Sequence, residues 1–406
     1  MALTNTAKSY GAVTKGFHWL TALLVLTVIP LGLVASDLAQ DLRNPGIGAT
    51  DALAARATLL FSIHKTLGVA IFLMALARIL WGLAQPRPGL LNGDRPAEAA
   101  LAASMHWLLY GSLIVVPLSG WVHHAATTGL APIWWPFGQS LPFVPESEAV
   151  ANFAATLHYV LQWVLIGALT LHALGAFKHH FIDRDATLRR MLPGHAPAEP
   201  TAAQPGQALP VLVAVTVWAV TLGGAGALGW FAPEGRAPQT RLAAVTSDWQ
   251  VSDGTLSIAV NLMGSTVTGK FADWTADIAY SETPDAAGRH GDVTVTVAIP
   301  SLTLGSVTDQ AMTAAYFDAE GFPTATFAAD LLALDGGHVA RGTLTIKGHS
   351  VPVEMPFSLA LVNATATAEG HLSVDRRSFG IGTGTTDADT LGFTVDVAFL
   401  LTAGRR

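Results

Sequence analysis

"TLHYVLQWVLIGALTLHALGAFKHHF", residues 156–181, is long and apolar enough to cross a bilayer, yet it carries His158 and His172. A spanning helix needs about 20 predominantly apolar residues. An ionisable side chain inside such a span faces a protein interior or a cofactor rather than lipid. The two histidines are 14 residues apart. At about 100° and 1.5 Å per residue they share a helix face to within about 40° and stand about 21 Å apart. One face of this span therefore presents an imidazole near each end.

Four other runs have the same character: 17–36, 59–83, 105–125 and 210–231. Pro30 and Pro117 lie inside spans, where neighbouring helices can satisfy the freed backbone groups. Lys and Arg favour cytoplasmic loops. Lys8 and Lys15 precede the first span, Arg78, Arg87 and Arg95 surround the second connection, and Lys178, Arg184, Arg189 and Arg190 follow the fourth span. The opposite side has Arg43 and Arg56 between the first two spans and neither Lys nor Arg between the third and fourth. This bias puts the N-terminus inside and everything after the fifth span outside. The first span lacks a recognisable cleavage site and is read as retained.

The composition divides the same way. Charged residues make up 13% of the 406-residue chain, about half the share in an average soluble domain. The long apolar runs all fall before residue 232. The absence of cysteine excludes disulfides, thiolate metal sites, cysteine-held iron–sulfur clusters and C-x-x-C-H haem attachment. A net charge of −7 makes no case for nucleic acid.

With this topology His18 lies at the inner end of the first span and His64 at the outer end of the second. His18 and His172 then share the inner depth, and His64 and His158 the outer depth. Each pair could ligate one haem iron axially, since imidazole suits iron and helix bundles build cofactor sites from facing side chains. Four histidines that pair at matching depths argue against isolated interhelical hydrogen bonds. His106 and His124 on the third span are 18 residues apart and also return to one face, so spacing leaves the third and fourth spans as alternatives.

The segments "KGFHWL" (15–20), "SIHKTLG" (62–68), "LARILWGL" (76–83), "MHWLLYGSLIVVPLSGW" (105–121), "LHYVLQWVLIGALTLHALGAFKHHF" (157–181) and "LRRMLP" (188–193) occur in this order. Together they resemble the bacterial cytochrome b561 family, an all-α four-helix transmembrane cytochrome b. Carried over position by position, the resemblance implies haem ligands at His18, His64, His158 and His172, hence two b-type haems. His106 falls in the family's H-x-x-x-Y pattern with Tyr110 and is not a ligand there. His123 and His124 match no ligand position and are read as polar residues of the outer surface. Arg78 and Lys65, near the inner and outer sites, are candidates for the haem propionates. Arg78 would serve equally as a positive-inside anchor, and Lys65 could snorkel. His179 and His180 end the fourth span as an interfacial polar cap, with an inward proton path or a quinone contact as the alternatives.

From Trp249 the period becomes two. Seven or more alternating segments, broken by Gly, Asp or Asn, predict an antiparallel barrel or sandwich. The segments "WQVSDGTLSIAV" (249–260), "GSTVTGKFADWTADIAY" (264–280), "FDAEGFPTATF" (317–327), "GTLTIKGHSVPVEMPF" (342–357) and "DRRSFGIG" (375–382) resemble the YceI-like family. That resemblance implies a lipocalin-like barrel holding a polyisoprenoid chain. Two stretches depart from the family pattern, "NLMG" (261–264) and "SVTDQAMTAAYFDAEGFPTATF" (306–327). Val260, Phe271, Trp274, Phe317, Phe322 and Phe327 are expected to point inward. A filled interior would make the barrel a spacer, and a hollow one a binding module.

The expected organisation is a four-helix cytochrome domain (1–190), a Pro/Ala-rich cytoplasmic linker (191–209), a fifth transmembrane helix (210–231) and a periplasmic barrel (240–406). The expected setting is a bacterial inner membrane. The reading is electron transfer through two haem b groups to or from the quinone pool, with a quinone or other isoprenoid in the barrel. Two alternatives stand beside it. One is a superoxide oxidase that reduces ubiquinone, for which the acidic balance of the outer loops offers no positive funnel. The other is a haem-stabilised, membrane-anchored isoprenoid carrier without redox turnover. The sequence leaves the oligomeric state open.

Overall fold

Apolar runs of this length have nowhere to hide their backbone polar groups except in helices. The computed structural model describes residues 2–43, 50–127, 131–194, 198–204, 206–232, 241–305, 307–334 and 337–405. Helices α1 (Ala12–Arg43), α2 (Asp51–Leu83), α3 (Pro96–Ala126) and α4 (Glu148–Phe177) come first. A π-helical turn, Lys178–Asp183, continues α4, and the short α5 (Thr187–Met191) and α6 (Ala208–Ala227) follow. Five of these elements are long and apolar enough to cross a membrane, and at most 39% of any spanning window is buried within the protein. Leu23, Leu26, Leu80, Leu212 and Val220 are more than half exposed. So wide an apolar exterior requires lipid as its solvent.

The helices run past the expected spans by several residues, and α6 stops at Ala227, two residues before Gly229 enters the left-handed region (φ 79°). Of the expected linker, residues 195–197 and 205 lie outside the described residues. Its described part is tied down, with Leu90 and Ala202 bridged antiparallel and Gln204 donating to the Pro88 carbonyl. Residues 233–240 also lie outside the described residues.

The chain divides into two compact units. One comprises Met1–Ala35, Leu60–Thr127 and Pro132–Glu234, the other Ser36–Leu59, Thr128–Ala131 and Gly235–Arg406. The core of the first is drawn from four helices: Val25 and Val28, Ile71 and Ala75, Leu113 and Val116, Leu161 and Leu165. Gly111 lets α6 approach α3, because a Cβ there would stand 1.9 Å from the Trp218 ring.

Among its described residues the second unit contains ten strands: β1 (Trp249–Leu262), β2 (Ser265–Phe271), β3 (Trp274–Tyr280), β4 (Arg289–Ala298), β5 (Leu302–Thr303), β6 (Thr324–Leu334), β7 (Gly337–Ile346), β8 (His349–Val362), β9 (Thr365–Asp375) and β10 (Leu391–Arg405). They form one antiparallel sheet in the order β3-β4-β6-β7-β8-β9-β10-β1-β2-β5, which curls into the expected lipocalin-like half-barrel. Two-residue turns at Met263-Gly264 and Lys347-Gly348 have positive φ at both positions. That is the hairpin turn whose twist matches the strands. A short helix, α7 (Thr308–Met312), falls in the stretch that departs from the family pattern.

Candidate functional site

Counting in sevens from the first histidine of each helix gives His18, Val25 and Gly32 on α1. The same count gives His64, Ile71 and Arg78 on α2, His106, Leu113 and Gly120 on α3, and His158, Leu165 and His172 on α4. Seven residues bring a helix back to within about 20° of its starting face, so all twelve positions look into the bundle. The middle residues Val25, Ile71, Leu113 and Leu165 are buried together in one apolar cluster. The outer positions form two polar layers about 21 Å apart. One holds His18, Arg78, His106 and His172, the other Gly32, His64, Gly120 and His158.

In each layer two histidines face one another. The ring centroids of His18 and His172 are 6.1 Å apart, and those of His64 and His158 are 6.2 Å apart. Imidazole nitrogens bind first-row metals at about 2 Å, and a ring centroid lies about 1 Å behind its nitrogen. Two imidazoles trans on one iron therefore place their centroids about 6 Å apart, the separation found in both layers.

The second layer supplies further tests of fit. His64 Nδ1 donates to the Val28 carbonyl at 2.9 Å, and His158 Nδ1 donates to the Val116 carbonyl at 2.7 Å. A carbonyl only accepts, so Nδ1 carries the proton and Nε2 keeps its lone pair. This is the arrangement that orients a metal-ligating histidine. Val28 and Val116 each sit four residues before a glycine, and those glycines make the approach possible. A Cβ on Gly32 would stand 2.6 Å from His64 Cε1, and one on Gly120 would stand 3.0 Å from His158 Cε1. These two glycines and two carbonyls did not emerge from the sequence reading. The seven-residue register was the signal that could have found them.

The first layer is more polar. The His106 ring is 5.0 Å from His172, and His106 Nδ1 is turned to the Ala102 carbonyl of its own helix at 2.7 Å. His106 thus lies beside the His18–His172 pair. Arg78 stands 14 residues from His64, at the depth of His18 and His172, with its guanidinium 5.4 Å from the Tyr110 ring centre. Of the third-span histidines, His124 is not a surface residue as expected. It is 2% exposed, with Nδ1 3.2 Å from Lys65 Nζ and Nε2 2.8 Å from Gln139 Oε1. The segment after α3 folds back over it, and Gln139 is held there by both backbone groups of Ile133. Lys65 accordingly lies against His124, and His123 turns to the Ala151 carbonyl. His179 Nδ1 lies 2.7 Å from Asp185 and 3.2 Å from Asp183. Glu98, Asp183, Lys178 and Arg95 complete that ion-pair network.

The barrel is hollow. Its cavity of about 320 Å³ is bounded by apolar side chains that include Val260, Phe271, Trp274, Phe317, Phe327 and Met355. Phe322 does not point inward as expected. It sits 38% exposed in the turn before β6, against Gly348. A few polar side chains reach the cavity, Tyr280, Gln310, Tyr316 and Arg376 among them. Arg376 is 2% exposed and donates to the carbonyls of Ile381, Gly382, Thr385, Leu391 and Gly392, clamping the segment between β9 and β10. Near Tyr280, the phenol oxygen lies 3.3 Å from His338 Nε2. Burial and the neighbouring His290 hold the His338 imidazole below its ordinary pKa of 6.5.

Residues 9–194 match the family described as prokaryotic cytochrome b561, and residues 249–403 match the YceI-like domain. Cytochrome b561 homolog 2 of Escherichia coli (strain K12) is 32% identical over 196 residues, which cover 47% of this chain and 95% of that protein. The probable superoxide oxidase CybB of Yersinia pestis is 29% identical over 187 residues, 46% of this chain and 97% of that one. Among solved structures, Burkholderia cenocepacia BcnA is similar over 38% of this chain and 99% of its own, at 29% identity and a TM-score of 0.35. The chain thus belongs to the prokaryotic cytochrome b561 family of multi-pass membrane cytochromes, with a YceI-like domain as its C-terminal half.

Proposed function

We propose that this chain is a dihaem membrane cytochrome b that moves electrons between the periplasmic side and the quinone pool of a bacterial inner membrane. The observation that carries the reading is the pair of histidine couples at 6.1 and 6.2 Å, one in each layer of the bundle. His18 and His172 would hold one haem, His64 and His158 the other. Each haem, when bound, supplies a one-electron Fe(III)/Fe(II) couple. The protein's part is positional. His64 and His158 are fixed in the ligating tautomer by Val28 and Val116, Gly32 and Gly120 leave room beside them, and Val25, Ile71, Leu113 and Leu165 keep water out of the space between the layers. Two imidazoles on each haem would leave the haem edge as the place where electrons enter and leave.

The Lys/Arg bias orients the N-terminus to the cytoplasm and the barrel, residues 240–406, to the periplasm. Residues 191–209 serve as the linker to the fifth helix, 210–231, which anchors the barrel. The barrel's apolar cavity suits an isoprenoid tail, and its few polar groups suit a head group, so a long-chain quinone is the proposed occupant. The test compares quinol-driven haem reduction in the full chain with a chain ended at residue 209, alongside extraction of lipid from the purified full chain. Reduction by quinol, slowed on truncation, together with a bound quinone or polyprenyl compound is the expected outcome. Equal rates would remove the barrel from the electron path, and failure of quinol to reduce the haems would remove the quinone.

A second reading is favoured by the similarity to a protein described as a probable superoxide oxidase. In that case superoxide would be the donor and ubiquinone the acceptor. Rapid haem reduction by a superoxide pulse, abolished by superoxide dismutase, separates it from the first. The third, non-redox reading as an isoprenoid carrier predicts reduction by neither donor.

A further inference from the structure

At the end of the bundle that holds His18 and His172, two cations, Lys15 and Arg190, are buried and a third, Arg78, is partly buried. Lys15 is 6% exposed and donates to the carbonyls of Leu192 and Gly194 at 2.9 and 3.0 Å. Arg190 is 5% exposed and donates Nη1 to Gly89 and Nη2 to Lys8, at 2.9 and 3.0 Å. Its Nε is buried and has no partner. Arg78 has the Tyr110 ring beside it. Among the described residues none of the three forms an ion pair, although exposed cations nearby do, as Lys8 with Glu199 and Arg95 with Asp183.

Tyr10 lies beside Arg190. Arg190 Cζ stands 5.6 Å from its ring centre, and Arg78 and Tyr110 lie within electrostatic reach of it. Arg78 itself stands in the layer of His18, His106 and His172. Burial raises the Tyr10 phenol above its ordinary pKa of 10.0, which leaves it a hydrogen-bond donor at neutral pH. A positive-inside anchor keeps its charge in water, whereas Arg190 does not. Burying unpaired cations is costly unless an anion joins them. In the opposite layer, among the described residues, Gly32 and Gly120 flank the histidines, and Lys65 lies against His124.

We propose that Arg78, Tyr10 and Arg190 form a carboxylate-binding site that takes the two propionates of the haem held by His18 and His172. Two guanidiniums balance two carboxylates, and the planar fork of arginine matches a carboxylate in a way an ammonium does not. This inference rests on the dihaem reading above.

The test is a potentiometric titration of the full chain in mild detergent, with haem content measured beside it. Removing a positive charge next to a haem disfavours the reduced state. Arg78→Gln and Arg190→Gln should therefore each lower the potential of the haem that disappears in His172→Ala. The expected change is tenfold in its reduction equilibrium, about 59 mV for one electron, with the other haem left in place. Arg78→Lys should recover part of the shift. Tyr10→Phe keeps the ring beside Arg190 and removes only the hydroxyl. It should give a smaller shift in the same direction even if Arg190→Gln does not accumulate. Two haems with unchanged potentials in both glutamine variants overturn the site. So does loss of bound phosphatidylglycerol or cardiolipin from the variants at unchanged potential, which assigns the cations to lipid phosphate. One haem in the unmodified chain overturns the dihaem reading instead, and is distinguished by the haem count alone.

Discussion

Replacing Gly32 by alanine should empty one haem site and spare the other. The added Cβ would stand 2.6 Å from His64 Cε1 and 2.8 Å from Nδ1. Carbon atoms in ordinary contact sit about 3.5–4.0 Å apart, so the ring must retreat by about 1 Å. That displacement breaks the 2.9 Å bond from Nδ1 to the Val28 carbonyl. It also exceeds the roughly 0.2 Å by which metal–ligand distances vary. Loss of the orienting hydrogen bond alone is worth about 10–100-fold in metal affinity, and displacement of the ligand adds to it. Helix propensity works the other way, since alanine is favoured over glycine by about 0.8–1 kcal/mol, so haem loss would not reflect a weaker helix. Gly68→Ala and Gly167→Ala, with nothing within 4 Å of the new Cβ, are the controls. Gly120→Ala, at 3.0 Å from the His158 ring, should give a milder version of the same defect. The assay is pyridine haemochrome content per chain, with spectra to identify the surviving site. Full haem content and unchanged potentials in Gly32→Ala would refute the reasoning, because they would mean that the layer tolerates a displaced His64.

Gly111→Ala drives a methyl into the Trp218 ring and should cost about 1–3 kcal/mol of α3–α6 packing, measured as a lower midpoint for thermal unfolding in detergent. Arg376→Met leaves at least five buried carbonyls without their donor. The expected loss is 3 kcal/mol or more at about 1 kcal/mol per unsatisfied group, seen as early melting of the barrel signal in the full chain. His338 has its pKa lowered in the folded state, so its neutral form is favoured there. Its contribution to stability is complete above pH 6.5 and lost as pH falls toward the folded value. Barrel stability should therefore drop on acidification from pH 7 to pH 5, and His338→Gln should flatten that slope.

The parts of the fold set by hydrophobic pattern were legible from the sequence. Five apolar runs and a change to period two at Trp249 are dictated by burial alone, and the structure has five spanning helices followed by the antiparallel half-barrel. Depth from topology and face from spacing brought the histidines into two layers but left the third and fourth spans as alternatives, and the family resemblance supplied the choice. The surrounding residues were hidden for a physical reason. A glycine signals a close approach only when its neighbour is known, so Gly32 and Gly120 carry no message until His64 and His158 stand opposite them. Only α4 has histidine at both ends of the register, which is why it alone revealed a two-layer design. His124 was misplaced because its burial depends on the segment around Gln139 folding back, a tertiary event with no periodic trace. Phe322 was misplaced because a turn residue beside β6 does not share the strand's alternation.

The claim at the centre of this account is that each layer of the bundle binds one haem through its own pair of histidines. Haem per chain, measured in the intact protein and in single alanine variants, tests it most directly. Two haems in the intact chain are expected, falling to one in His18→Ala and in His172→Ala with the same haem lost in both. His64→Ala and His158→Ala should each lose the other haem. One haem in the intact chain, or full haem in His172→Ala beside a loss in His124→Ala, would show that the pairs have been drawn wrongly.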